Sequence, residues 1–185
     1  MSALYDTRQV RRSFSRAASG YDAAARLQHA VEARLLDMLD YRDDPALKRE
    51  PPSVIIDLGC GPGRAAAAMQ KRWPKARVLA LDLALPMLRA ARSPPRWKPF
   101  APRPQPVCAD ARVLPLAENS VDVLFSNLCL QWVEDLGAVF AGFRRVLKPR
   151  GMLLLSTFGP DTLWELREAF ARADEAPHVS PFADI

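Results

Sequence analysis

The sequence predicts an α/β fold in which a parallel sheet carries helices on both of its faces. Between residues 53 and 173, short apolar runs alternate with amphipathic segments, which is typical of successive strand–helix units. The first of these runs, residues 54–58, leads into a glycine-rich turn, and polar residues end several of the others. Ligands of open parallel sheets bind beyond the carboxyl ends of the strands. We therefore expect one ligand site at that edge of the sheet.

Helical segments precede the first strand. A first helix is predicted over residues 10–18, and a longer helix follows from about Tyr21 to Tyr41. The prolines of residues 42–53 indicate a linker. These boundaries predict an N-terminal helical cap with its linker over residues 1–50 and a ligand-binding domain over residues 51–185.

Strands and helices alternate after the linker. The apolar runs predict strands at 53–58, 77–82, about 106–109, 120–127 and 151–158. The segments between and after them predict helices at 63–73, 84–92, 135–147 and 161–173. Residues 93–106 contain six prolines and predict an extended insertion, in which Trp97 and Phe100 could dock on the domain.

Length and composition limit the class of protein. A chain of 185 residues with 49% hydrophobic and 25% charged residues suits one soluble domain with one core. No apolar run approaches the roughly 20 residues of a membrane span, and the N-terminus does not resemble a signal peptide, so we expect a cytoplasmic protein without a membrane partner. The net charge is +5, but the basic residues are scattered, so a nucleic-acid partner is not predicted. A positive field of this size would attract an acidic protein or an anionic small molecule.

The three cysteines show no metal-binding spacing. Cys60, Cys108 and Cys129 lie far from the two histidines and form no Cys-x-x-Cys pair, so no metal site is predicted. We expect them to be small buried apolar residues in a reducing compartment.

The glycine-rich turn indicates a nucleoside-containing cofactor. Gly59, Gly61 and Gly63 let the backbone approach a ligand closely, and the helix that follows offers N–H groups at its start. The dinucleotide fingerprint needs its third glycine at position 64, which is an arginine, and no Gly-Lys-Ser/Thr completes a phosphate-binding loop. Asp82 ends the next strand, about 20 residues beyond the loop, where a carboxylate can accept both hydroxyls of a ribose or cap the following helix.

The pattern Asp57-x-Gly59-x-Gly61-x-Gly63 resembles motif I of the Rossmann-like S-adenosylmethionine (SAM) methyltransferases. This resemblance implies that Asp110 contacts the adenine amino group and that the backbone of Asn127 and Leu128 lies near the methionine part. It further assigns Cys60, Leu83, Met87 and Ala111 to the cofactor site.

Further motifs resemble one group within that superfamily, the biotin-pathway malonyl-acyl-carrier-protein O-methyltransferases (the BioC family). The matching segments are 14–18, Tyr21-Asp22, Leu27-Gln28, Asn127-Leu128, Gln131-Trp132, 157–163 and Glu165-Leu166. The resemblance implies methyl esterification of the free carboxylate of a malonyl thioester, with malonyl-acyl-carrier protein or malonyl-CoA as substrate. It also implies that the N-terminal helices cover the cofactor, which makes Tyr21 and Gln28 further candidates for contacts to SAM.

No catalytic residue is predicted, because a carboxylate acceptor is ionised at neutral pH and needs no general base. Trp132 is expected either to line the acceptor pocket or to anchor a loop. An acidic carrier protein would suit the basic surface, with these candidate contacts: Arg11, Arg12, Arg144, Arg145 and Lys148.

The resemblance is incomplete at the C-terminus. A complete sheet of this superfamily adds two strands after the helix at 161–173, and the chain does not contain them, so we expect a truncated form. The alternatives are a relative that methylates another small acid or a quinone precursor, a hydroxylase of the same fold that assembles mitochondrial complex I, and a non-catalytic SAM-binding module. The sequence does not predict an oligomeric state.

Overall fold

The computed structural model describes residues 6–90, 101–174 and Phe182. Most of the proline-rich insertion, including Trp97 and Phe100, lies outside the described residues. The described residues form five strands: β1 (Val54–Leu58), β2 (Arg77–Asp82), β3 (Gln105–Cys108), β4 (Val121–Asn127) and β5 (Leu147–Ser156). The same residues form seven α-helices: α1 (Thr7–Ala17), α2 (Tyr21–Ala24), α3 (Arg26–Asp37), α4 (Arg64–Arg72), α5 (Leu85–Ala90), α6 (Leu136–Val146) and α7 (Trp164–Ala171).

The sheet is parallel throughout, in the order β3-β2-β1-β4-β5. Its register sets the carboxyl ends of the strands side by side, because Leu58 of β1 lies beside Leu81 of β2 and Ser126 of β4. Pro106 is accommodated because β3 is an edge strand, where a missing N–H donor is tolerated. This topology confirms the predicted α/β class.

Helices cover both faces of the sheet, as predicted. On one face, strand residues such as Ile55, Val78 and Phe125 pack against α3 and α4. On the other, Ile56 and Leu124 pack in a second cluster with residues of α6. Alternate residues of the central strands therefore enter opposite core layers, which is why β1, β2 and β4 are largely apolar.

Helix α1 begins three residues earlier than predicted and α7 three residues later, and two other predicted elements differ more. The helix predicted from Tyr21 to Tyr41 is interrupted at Ala25, which is buried in a non-helical conformation, and its last four residues form a 3-10 helix, Met38–Tyr41. Strand β5 begins four residues earlier than predicted, because a register shift against β4 accommodates the turn around Arg150, whose φ is 66°.

The cap is anchored to α4 by stacked cations. Arg42 is only 6% exposed and stacks on the Trp73 ring at 5.6 Å, while Arg72 stacks on the same ring at 5.1 Å. The Arg72 guanidinium also donates to Asp40 at 2.7 Å and to Asp43 at 2.9 Å. These contacts tie the 3-10 helix at the end of the cap to the first helix after the glycine turn.

None of the helices within residues 6–90 and 101–174 is long and apolar enough to cross a membrane.

Candidate active site

The glycine turn follows β1 and is held against β2. The N–H groups of Gly59 and Cys60 both donate to the carbonyl of Leu81, at 2.8 and 3.0 Å. Gly59 has φ of +70°, and a Cβ at this position would overlap the side chain of Cys129. The first glycine is therefore required both by backbone conformation and by the close packing of the turn that follows β4.

Asp57, in β1, links the strand before the glycine turn to the helix after it. Its carboxylate is 2% exposed and accepts the N–H of Ala66, in the first turn of α4, at 2.8 Å. Burial raises the pKa of Asp57 to about 7, although the bond from Ala66 opposes that rise. The prediction that the first N–H groups of α4 face a ligand is wrong for Ala66, because Asp57 already takes this donor.

Asp82 joins the turn to the start of α5. One carboxylate oxygen accepts the N–H of Gly61 at 2.9 Å, and the other accepts the N–H of Ala84 at 2.7 Å. Burial raises the pKa of Asp82, and these two bonds oppose the rise. The bond to Ala84 is the predicted capping role, and each oxygen retains a further acceptor site for a ribose hydroxyl.

A cavity of about 110 Å³ opens beyond the strand ends. Ten of the predicted cofactor residues line it: Tyr21, Gly59, Gly61, Asp82, Leu83, Met87, Asp110, Ala111, Asn127 and Leu128. A smaller cleft of about 30 Å³ adjoins it through shared residues and is lined by the predicted Gln28, Asp57 and Cys60. Gly63 lines neither of these two spaces but forms part of a neighbouring groove.

Asp110 is already paired with Arg112. The guanidinium donates to both carboxylate oxygens, with a shortest contact of 2.6 Å, and the Arg112 N–H donates to one of them at 2.9 Å. Arg112 holds the pKa of this carboxyl below its usual range. A ligand amino group would therefore share Asp110 with an arginine that the sequence reasoning did not include.

The turn after β4 is fixed by several polar contacts. The Asn127 side chain donates to the carbonyl of Gln28 at 3.1 Å and accepts from the Ser156 hydroxyl at 2.8 Å. Leu128 has φ of 46°, and its carbonyl accepts from the Gln131 side chain at 2.7 Å. Gln28 and Asn127 are therefore in contact, as expected for two residues of one site. The contact uses the backbone carbonyl of Gln28 rather than its side chain.

The cap closes the cavity with aromatic side chains. Phe14 lies 5.5 Å from Trp132, edge to face, and 6.4 Å from Tyr21, measured between ring centroids. Thr7 and Val10 line the cavity from the same helix, α1. Trp132 lines the cavity, which is compatible with both roles expected for it, and α1 supplies lining residues that were not predicted.

Charged groups surround the smaller cleft. Glu32 is 9% exposed and accepts from Arg64 at 2.8 Å, and His29 lies 3.6 Å from Asp22. Burial raises the pKa of Glu32, with Arg64 opposing, and burial together with the Asp82 and Glu32 charges raises the pKa of Tyr21.

The cysteines differ in exposure. Cys60 and Cys129 are partly buried beside the glycine turn, whereas Cys108 is exposed, so the prediction of burial is wrong for Cys108 at the edge strand. Burial raises the pKa of Cys129 to about 12. Across the part of the chain that the structure describes, no group of three or more potential metal ligands is found.

Comparison with known proteins agrees with this geometry. The sequence profile of a methyltransferase domain family (Methyltransf_11) matches residues 56–155. A malonyl-[acyl-carrier protein] O-methyltransferase of Xylella fastidiosa is 59% identical over all of the chain and 60% of that protein. The biotin biosynthesis bifunctional protein BioHC of Saccharophagus degradans is 42% identical over 96% of the chain and 30% of that protein. The predicted resemblance is therefore confirmed.

The chain spans 58–62% of the length of the malonyl-[acyl-carrier protein] O-methyltransferases that it matches. Among solved structures, a Methanococcus maripaludis protein provisionally assigned as an S-adenosyl-L-methionine-dependent methyltransferase has a TM-score of 0.64. It is 20% identical, and the match covers 86% of this chain and 72% of that chain, which shows a shared fold. Since the family profile matches more than half of its residues, the chain belongs to the methyltransferase domain family.

Proposed function

We propose that the protein transfers a methyl group from SAM to the free carboxylate of a malonyl thioester carried by acyl-carrier protein, an early step of biotin synthesis. The observation that carries the proposal is a cavity at the carboxyl ends of β1, β2 and β4 that is lined by most of the expected cofactor residues, in a chain 59% identical to a malonyl-[acyl-carrier protein] O-methyltransferase. We also propose that the protein is cytoplasmic and that malonyl-CoA is an alternative substrate. Residues 1–50 serve as the cap and linker, and residues 51–185 as the cofactor-binding domain.

The nucleoside end of the cofactor fits the side of the cavity next to α5. Asp82 offers its carboxylate to the ribose hydroxyls, since one oxygen accepts only the N–H of Gly61 and the other only the N–H of Ala84, so each retains an acceptor site. Asp110 accepts the adenine amino group beside Arg112. Apolar walls for the adenine ring come from Leu83, Met87 and Ala111.

The methionine end fits between the glycine turn and the turn after β4. Gly59 and Gly61 allow close approach of the backbone, and Asn127 with Leu128 forms the opposite wall. Tyr21, Gln28 and Cys60 approach this end from the cap and the small cleft. Asp57 and Gly63 act indirectly, because they fix the path of the loop into α4.

Bound SAM supplies a methyl group on a positively charged sulfur, and its transfer to a carboxylate oxygen leaves the neutral thioether S-adenosylhomocysteine and a methyl ester. The acceptor is ionised at neutral pH, so the protein need not remove a proton. The role of the chain is then to align the two reactants and to exclude water, which can supply several kcal/mol of the barrier reduction. Phe14, Tyr21 and Trp132 form the apolar cover that serves this purpose.

The test supplies methyl-labelled SAM with malonyl-acyl-carrier protein, malonyl-CoA and, as a control lacking the free carboxylate, acetyl-acyl-carrier protein. We expect base-labile label on the malonyl substrates and none on the acetyl thioester. Tight binding of S-adenosylhomocysteine without transfer to either malonyl substrate would contradict the proposal and indicate a non-catalytic module. Label on a different acid alone would also contradict it.

A further inference from the structure

One helix concentrates positive charge next to the cavity. Helix α1 contains four arginines, Arg8, Arg11, Arg12 and Arg16, and no acidic residue. All four are exposed, and none of them forms an ion pair with a residue in the described part of the chain. The nearest acid in sequence, Asp6, accepts a backbone N–H as the cap of the helix. The outer side of α1 is therefore a basic surface, defined here by these four arginines.

The same helix contributes to the cavity wall. Thr7, Val10 and Phe14 line the cavity, and at 100° per residue they occupy one side of the helix. The arginines occupy the adjoining and opposite sides. A molecule that contacts the basic surface is thus within one helix diameter, about 10 Å, of the space where a bound acceptor would react.

The other basic residues considered from the sequence lie elsewhere. Three of them lie around the end of α6 and the start of β5: Arg144, Arg145 and Lys148. This is the side of the sheet where the strands begin, opposite to the carboxyl ends at which the cavity opens. Arg145 donates to the carbonyls of Leu114 and Leu116, and Lys148 is paired with Asp122 at 2.8 Å. Their partners tie Arg145 and Lys148 to the fold, and the position of all three residues places them away from the cavity.

We propose that the basic surface of α1 is the docking site for the acidic protein that carries the malonyl thioester. The inference rests on the proposed function, because a substrate tethered to a protein must place its carrier at the mouth of the cavity. Charge complementarity of this kind raises the rate of encounter and orients the partner. Contact with α1 also reaches the cavity wall, so the carrier would dock on the element that covers the cofactor.

The experiment compares the wild type with a variant in which the four arginines are replaced by glutamate (R8E, R11E, R12E and R16E). A matched control carries the same charge change at exposed residues near the opposite edge of the sheet: Arg49→Glu, Lys71→Glu, Lys75→Glu and Arg144→Glu. Methyl transfer is measured with malonyl-acyl-carrier protein, with malonyl-CoA and with malonyl-N-acetylcysteamine, which has neither protein nor phosphate. Calorimetric binding of S-adenosylhomocysteine and circular dichroism establish that each variant is folded.

We expect kcat/KM for the carrier-bound substrate to fall about 10- to 100-fold in the α1 variant, and values for the two small thioesters and for the matched control to stay near wild type. Increasing ionic strength from 0.01 M to 0.15 M should lower the wild-type value with the carrier but not the value of the α1 variant. If the α1 variant does not fold, the glutamine set (R8Q, R11Q, R12Q and R16Q) should show a smaller loss with the same substrate pattern.

Three outcomes would overturn the docking proposal: an unchanged kcat/KM with the carrier, an equal loss in the matched control, or an equal loss with malonyl-CoA. The last outcome would indicate a phosphate site instead of a protein-docking surface. If the wild type methylates none of the three substrates, the proposed function fails, which is distinguishable from failure of docking alone.

Discussion

Replacement of Asp82 by asparagine tests the most specific of the proposed cofactor contacts. Asparagine keeps the shape of the side chain and one acceptor oxygen, but it loses the charge and places an amide NH₂ where an oxygen stood. In the wild type both oxygens accept backbone N–H groups, from Gly61 at 2.9 Å and Ala84 at 2.7 Å. The substitution therefore affects the fold and the ligand separately, and both effects can be estimated.

For the fold, one backbone donor loses its acceptor, which costs about 1–3 kcal/mol of stability when the donor is shielded from water. For the ligand, hydrogen bonds from ribose hydroxyls to a charged acceptor contribute about 1.5–3 kcal/mol. We therefore expect the affinity for S-adenosylhomocysteine to fall roughly 10- to 150-fold. Complete removal of the acceptor, Asp82→Ala, should lower affinity at least as much and lower stability further.

The effect on ligand affinity is measured by titration calorimetry with S-adenosylhomocysteine and with its 2′-deoxy analogue. The wild type should bind the deoxy analogue more weakly, whereas Asp82→Asn should bind both ligands with similar affinity. Asp122→Asn is the matched control, since Asp122 also accepts two backbone N–H groups, both at 2.9 Å, at the opposite edge of the sheet. That variant should lose stability but no affinity. A folded Asp82→Asn protein with wild-type affinity, or with undiminished discrimination between the two ligands, would refute the ribose assignment.

Three further substitutions examine the glycine turn itself. Asp57→Asn should remove a pH dependence of stability: burial raises the pKa of Asp57 from 3.8 to about 7, so the native state retains a proton that the unfolded chain loses between these pH values. In the wild type, the stability that this group contributes is full below pH 4 and is lost as the pH rises through 7. The variant keeps an acceptor for Ala66 but does not titrate, so its free energy of unfolding in urea should rise by up to roughly 4 kcal/mol relative to wild type between pH 4 and pH 8. Parallel pH profiles of the two proteins would contradict this. Gly59→Ala should lower the free energy of unfolding by about 2–5 kcal/mol and weaken cofactor binding, because it combines left-handed backbone strain with overlap on Cys129. Gly63 has φ of +80° but no atom within 4 Å of an added Cβ, so Gly63→Ala should lower stability by only about 1–2 kcal/mol. Equal losses of stability in the two variants would show that the overlap is relieved.

The strands, and most of the residues that line the cavity, could be predicted because their signals are local. An apolar run followed by Asp or Gly defines a strand and its end, and parallel pairing then brings separate strand ends together without further information. The cap could not be predicted to the same degree. The contact of Phe14 with Trp132 joins helix α1 to the turn after β4, and no periodicity along either segment specifies it. The pairing of Arg112 with Asp110 spans only two residues, and the acidic turn with a following arginine was a signal that could have been used.

The polar contacts of the glycine turn explain why one short motif predicts so much of this site. Asp57 accepts from the helix that follows the turn, and Asp82 accepts from Gly61 within it, so carboxylates from two adjacent strands fix the loop on both sides. Asp57 lies beside Ala80 and Leu58 beside Leu81 in the register, so β2, which supplies the proposed ribose acceptor, also holds the loop in place. A loop fixed before the ligand arrives loses little entropy on binding, which suits the proposed methyl transfer, since that reaction depends on alignment rather than on proton transfer. The acid of the motif is therefore needed for the conformation of the loop even if it never touches the cofactor.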